Sequence, residues 1–273
     1  MSRDHLGSVA KQNEVLYNSY SAEDNINASP HLKHQQIKDL YLTLVNNVFD
    51  KAKVNTEQPE ILDLGSGDGS VTLPFLALGA KVTAVDISSE QLKNLTKNCK
   101  EYENMFSSHC TDVVDYLQNS NEKFDVIVIN SFLHHIPDYM SLIQQCLPHL
   151  NPHGQFFSFQ DPLRYDTLSS FNRRYSRYSY LSWRVFQGDF WGGYSRMMRR
   201  RRGVLLDDCV EDNAEYHVTR NGVDQDAIAR LLKSNHFNVR TVKYFATQSA
   251  LFQFLGYKAR CANMFSIVAQ KTD

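Results

Sequence analysis

What the chain has little of narrows it first. Nowhere in its 273 residues does an apolar run approach the roughly 18 residues that a membrane-crossing helix needs, so no span is expected. The opening Met1-Ser2-Arg3-Asp4-His5 lacks the apolar stretch of a secretory signal, and a cytoplasmic location is expected. Cysteine is sparse. The five residues Cys99, Cys110, Cys146, Cys209 and Cys261 are odd in number, scattered, and form no Cys-x-x-Cys. That pattern argues for reduced thiols and against a disulfide framework or a zinc site, and no metal is expected. A net charge of −1 argues against wholesale binding of polyanions. Hydrophobic residues make up 42% of the chain, which is enough for the core of one large domain.

One stretch organises what is present. Ile61-Leu62-Asp63-Leu64 reads as a buried strand that runs into Gly65-Ser66-Gly67-Asp68-Gly69, a glycine turn, and then into a helix-like pattern from Val71 to Leu78. A dinucleotide-binding turn would carry its last glycine at position 70, where this chain has Ser70. The next strand, Lys81 to Val85, ends at Asp86, 21 residues after Gly65. A carboxylate so placed accepts hydrogen bonds from both hydroxyls of a ribose, in NAD or in any other adenosine ligand. The residues therefore support ribose and give no support to a pyrophosphate.

Further segments follow in order: Cys110-Thr111-Asp112-Val113, the apolar Phe124 to Asn130, and Leu133-His134-His135-Ile136-Pro137-Asp138. With the glycine turn and Val85-Asp86-Ile87-Ser88, these motifs resemble those of the class I S-adenosylmethionine-dependent methyltransferases. The likeness is strong over about 59–160 and weak beyond. It implies an α/β fold: a Rossmann-like, seven-stranded, mostly parallel sheet with helices on both faces and the last strand antiparallel. It implies S-adenosyl-L-methionine as cofactor, with Asp63, Gly65, Ser66, Gly67, Asp86, Ile87, Gln91, Asp112, Val113 and Asn130 around it. In that likeness Asp112 accepts from the adenine amino group and Val113 offers a backbone N–H. Asp112 also reads as a simple helix N-cap.

Histidine is the side chain best suited to take a proton near neutral pH. His135 is the first candidate for a base or orienter at the methyl-transfer site, with His134 beside it and His217 further on. A lone loop histidine is more often structural, and two adjacent residues generally point different ways.

The resemblance also implies three regions: an N-terminal lid over 1–30, a cofactor-binding domain formed by 31–160 and 220–273, and a mostly helical substrate lid over 161–219. Tyr17 and Tyr20 are candidates to face the sulfonium. Residues 161–203 hold ten arginines against three acids, a net +7, together with ten aromatics. Arginine grips carboxylate or phosphate through its planar fork, so Arg164 or Arg173 is a candidate to hold an anionic acceptor, with Tyr165 a further candidate for an aromatic one. Solvated faces paired with the acids at 207–215, or a polynucleotide or membrane surface, are the competing explanations.

The reading is methyl transfer to an oxygen, nitrogen or carbon of a small molecule. An RNA or protein methyltransferase docking through the arginines, a non-catalytic cofactor-binding protein, and an NAD enzyme are the alternatives. No Asn-Pro-Pro-Tyr follows the fourth strand, so nothing points to planar amide or exocyclic nitrogens.

Overall fold

The computed structural model describes residues 30–186 and 221–272, together with 188, 191–192, 194–195 and 197–198. Seven strands form one sheet in the order β3-β2-β1-β4-β5-β7-β6. They are β1 (Glu60–Leu64), β2 (Lys81–Asp86), β3 (Phe106–Cys110), β4 (Phe124–Asn130), β5 (Leu150–Pro162), β6 (Phe237–Tyr244) and β7 (Met264–Lys271). Only β7 runs against its neighbours, pairing antiparallel with both β5 and β6. This is the Rossmann-like sheet that the motifs predict.

Alternation along the strands divides the core. Leu62, Leu64, Ile127 and Ile129 belong to one apolar cluster, whereas Ile61, Val126, Val128, Phe157 and Phe159 belong to another. The second is covered by α1 (Gln35–Lys53), α2 (Thr72–Ala77) and α3 (Ser89–Asn98). The first is covered by α4 (Val113–Asn119), α5 (Tyr139–Cys146) and α7 (Gln225–Ser234). Strands covered on both faces read as continuous apolar runs, as β4 does.

Several boundaries depart from the sequence pattern. A helical turn, Pro30–Lys33, precedes α1 and breaks at His34, whose backbone is extended and whose ring Nε2 lies 2.8 Å from the Thr247 carbonyl. Helix α5 stops at Cys146 and tightens into a 3-10 turn, Leu147–His149, because Pro148 cannot donate an intrahelical hydrogen bond. Strand β5 begins at Leu150 and continues to Pro162. It thereby takes in Asp161 and Pro162, which the sequence reading gives to the insertion. Beyond it α6 (Ser170–Phe186) is helical, and α8 (Ala250–Lys258) lies between β6 and β7.

Candidate active site

The strand order reverses between β1 and β4, and ligands of such sheets sit beyond the strand ends at that reversal. The glycine turn closes this crevice. Gly65 has φ +73° and Gly67 φ +52°, in the left-handed region where a side chain is strained. A Cβ on Gly65 would lie 2.4 Å from the Phe132 ring, whereas one on Gly67 would meet nothing within 4 Å. Gly65 is thus needed for packing, and Gly67 leaves space open beside the backbone. Phe132 escapes a reading of the sequence because it sits in a loop with no periodicity.

Around the turn, polar side chains are buried and incompletely paired. Asp63 accepts a 2.7 Å hydrogen bond from Thr72 at Oδ2, but its Oδ1 has no partner. Burial raises its carboxyl to about pKa 7, because the charged form loses its hydration. Ser66 Oγ and Asn130 Oδ1 are likewise buried without a partner, although the Asn130 amide donates to Ser70 Oγ at 3.2 Å.

Asp86 closes the second strand. Its Oδ2 accepts from Gly67 N at 2.8 Å and its Oδ1 from Ser88 N at 2.8 Å. The carboxylate is therefore locked against the glycine turn. Burial raises its pKa, and those backbone donors pull it back down. Ser88 caps α3 by accepting from Gln91 N at 3.3 Å; Gln91 is buried and Ile87 half-buried. Asp112 caps α4, its Oδ1 accepting from Val114 N at 2.8 Å, and Val113 is buried in the core. The cap reading of Asp112 is what the geometry displays.

The two histidines lie on a 3-10 turn, Leu133–His135, just past β4. Their rings are 4.0 Å apart. His134 Nδ1 lies 2.8 Å from Oδ1 of Asp161, and its backbone N–H donates to the same oxygen at 3.2 Å. Asp161 is wholly buried, and its Oδ2 has no partner. Burial pushes the carboxyl up to about 8 and the imidazole down to about 3. Both shifts oppose separated charge, so near neutrality the pair holds one proton between Oδ1 and Nδ1.

Backbone strain aims this dyad. Gln160 has φ +68° and Ser131 φ +51°, at the ends of adjacent strands, and Ser131 N donates to Phe159 O at 2.7 Å. Between Ser158 and Asp161 the pairing of β5 with β7 slips. Gln160 N donates to Tyr244 Oη at 3.0 Å, and that hydroxyl donates to Gln160 Oε1 at 3.1 Å. Strained non-glycine residues held by surrounding bonds gather at functional sites.

A family model described as a methyltransferase domain matches residues 32–242. The chain belongs to the class I S-adenosylmethionine-dependent methyltransferases. The ubiquinone biosynthesis O-methyltransferase of Actinobacillus pleuropneumoniae serotype 5b is 35% identical over 102 residues, covering 36% of this chain and 44% of that protein. That of Coxiella burnetii strain RSA 493 is 28% identical over 142 residues, covering 51% and 56%. The chain thus spans about half the length of these curated relatives. Among solved structures, the plantazolicin methyltransferase BamL in complex with SAH superposes with a TM-score of 0.57 at 12% identity, covering 99% of this chain and 98% of that one. Magnesium protoporphyrin IX methyltransferase from Synechocystis PCC 6803 with bound SAM gives 0.53 at 14% identity, covering 99% of each. At such identity these neighbours speak for the fold alone.

The residues present suit the cofactor of this methyltransferase family. The unpartnered acceptor oxygens on Asp63 and Asn130 call for donors such as an ammonium group, and the space beside Gly67 admits a ligand against the backbone.

The structure gives two other expected residues partners within the protein. Arg164 is expected from the sequence to hold an anionic acceptor. Its Nε and Nη2 instead donate to Asp166 at 2.7 Å each, and its Nη1 to Asp224 at 2.5 Å. Two carboxylates neutralise the fork and point it along the protein surface. Tyr165 packs, half-buried, against the core cluster that holds Leu163 and Leu168. His217, Tyr17 and Tyr20 lie outside the described residues, as does most of 187–220.

Proposed function

We propose that this methyltransferase moves a methyl group from S-adenosylmethionine to a hydroxyl oxygen of a small-molecule acceptor. The observation that carries the proposal is the buried His134–Asp161 pair at the carboxyl ends of β4 and β5, beside the glycine crevice. The O-methyltransferase names of the curated relatives point the same way.

The cofactor, when bound, supplies a methyl group made electrophilic by the sulfonium. The chain's own residues do the rest. Asp86, fixed by Gly67 and Ser88, keeps lone pairs for the ribose hydroxyls. The Asp63 carboxylate pairs with the cofactor's amino group, aided by Asn130 Oδ1. Asp112 and the Val113 N–H meet the adenine, Ile87 and Gln91 line the sugar side, and Ser66 lies in the turn between. With Asp161 ionised and accepting from Nδ1–H of His134, Nε2 keeps a free lone pair and takes the acceptor's proton. Asp161 then balances the imidazolium, and the hydroxyl oxygen becomes the stronger nucleophile. His135, buried beneath the His134 ring, orients it. Holding the acceptor in line with the methyl is the larger share of the task. The segments 1–30 (through Tyr17 and Tyr20) and 161–219 (through Tyr165 and His217) cover the acceptor in this reading.

Calorimetry tests the cofactor site: S-adenosylmethionine binds the purified chain, and Asp86→Ala weakens binding more than about tenfold, or roughly 1.4 kcal/mol. A panel of phenols, alcohols and amines with labelled cofactor tests the acceptor. Labelling of amines alone would overturn the oxygen assignment.

A further inference from the structure

Eleven large apolar side chains are exposed among the described residues, and all but Val54 lie on α6, just after it, or on α8. Chance scatter of surface hydrophobics does not give such a concentration. On α6, Phe171, Tyr178 and Val185 recur every seven residues and form one exposed stripe. Helix α8 has its amphipathic sense reversed. Gln253 and Gly256 face inward and are buried, while Leu251, Phe254 and Leu255 are 64%, 49% and 44% exposed.

The two helices form one surface. Tyr175 Oη of α6 donates to the Phe252 carbonyl of α8 at 2.9 Å, and the two rings stand 5.8 Å apart. Gln253, from the inner face of α8, donates to the Phe245 carbonyl at 2.8 Å. These inner contacts leave the apolar stripes pointing outward.

The charge on this surface has one sign. Neither helix carries an acidic residue. Arg173, Arg174 and Arg177 of α6 are exposed, Arg184 stacks over the Trp183 ring at 4.8 Å, and Lys258 of α8 sits 5.7 Å above the Phe254 ring. Basic side chains beside exposed leucine, valine and phenylalanine match a surface with anionic heads over an apolar interior. The apolar residues sink to the acyl boundary, and the long basic side chains reach back to the heads. A polynucleotide would satisfy the arginines but leave the aliphatic stripe in water. No helix among the described residues is long and apolar enough to cross a membrane, so the seating is peripheral.

We infer that the joint face of α6 and α8 seats this protein on an anionic lipid bilayer. The face uses no residue assigned to the cofactor crevice or to the dyad, so the inference and the proposed acceptor chemistry fail separately.

The test is co-sedimentation of the full chain with vesicles of phosphatidylcholine alone or mixed with phosphatidylglycerol. The protein pellets with the mixed vesicles and binds about tenfold less to the neutral ones, and high salt releases it. A variant carrying Leu251→Ser, Phe254→Ser and Leu255→Ser loses vesicle binding while its calorimetric binding of S-adenosylmethionine is unchanged. A second variant, Arg173→Gln with Arg174→Gln and Arg177→Gln, loses the preference for anionic lipid and covers the case that the first does not fold. Failure of the wild type to pellet at low salt overturns the inference. So does pelleting that neither variant changes, or a dimer in solution that the serine variant splits, which would make this face a contact between two copies.

Discussion

Asp161, next to last in β5, holds its carboxylate 2.8 Å from His134 Nδ1, so a residue outside every recognisable motif fixes the orientation of the histidine inside one. His134 Nδ1 meets this carboxylate at hydrogen-bond distance, and buried His135 also acts on the charge of Asp161.

If the dyad acts as the base, Asp161→Asn and His134→Ala each lower kcat by roughly 10²-fold or more. The double variant is little worse than either single one, because the two residues act as a unit. Binding of S-adenosylmethionine is preserved in all three, which calorimetry checks.

The pH profile has a definite sign. Burial lowers the His134 pKa, so the ring stays neutral, and whether its Nε2 is free to accept a proton is set by the ionisation of Asp161. Asp161 and His135 face it directly, and Tyr244 lies close enough to Asp161 to feel its charge. Burial raises Asp161 to about 8, and once that carboxyl is protonated and donates to Nδ1 the neutral ring carries its N–H on Nε2 and is no base. The acid limb of kcat/KM therefore lies above the ordinary histidine range, and a limb below pH 6.5 would count against the dyad as base.

Asp63 couples stability to pH. An aspartate free in the unfolded chain titrates at 3.8, and burial in the fold raises this one to about 7. Between those values the native state holds the extra proton, so this group's contribution falls as pH rises from about 4 to 7, by at most roughly 1.4 kcal/mol per unit. Asp63→Asn removes that slope. Urea unfolding of the ligand-free protein across this range should show the variant gaining on the wild type as pH rises.

The two glycines of the turn should separate stability from binding. Gly65→Ala meets both a positive φ and the Phe132 ring. It costs more than the roughly 1–2 kcal/mol of left-handed strain alone, and Phe132→Ala returns only the excess. Gly67→Ala bears the strain without a clash and is the milder in unfolding, yet it weakens cofactor binding because the methyl enters the open space.

Tyr244→Phe leaves the Gln160 N–H buried without its acceptor. A loss of about 1–3 kcal/mol in stability is expected. Turnover should fall further than stability explains, since Asp161 is the next residue along the bulge.

Much of the fold is legible in the residues alone. The apolar run of β4 and the glycine turn announce the sheet, and the acids at 63, 86 and 112 fall at the ends of β1 and β2 and just past β3. Strand β3 gives a poor pattern because it is an edge strand whose residues are mostly exposed, so neither alternation nor a continuous run is required of it. Asp161 is hidden for a different reason. It lies beyond a bulge whose strain at Gln160 is invisible to periodicity, and its partner is 27 residues away. The pairing of Arg164 with Asp166 and Asp224 is hidden because composition counts charges without saying which are already paired. The outward stripe of α8 shows only as a short aromatic helix, since the sequence does not say which face meets water.

Tyr41, deep in α1, donates to the Ser70 carbonyl at 2.8 Å, while His34 at the head of the same helix meets Thr247 beyond β6. One rod thus spans from the end of the glycine turn to the loop leading into α8. Trimming the chain past residue 34, or splicing a tag there, would loosen both ends together, and the damage would surface first as weakened nucleoside affinity rather than as an unfolded protein.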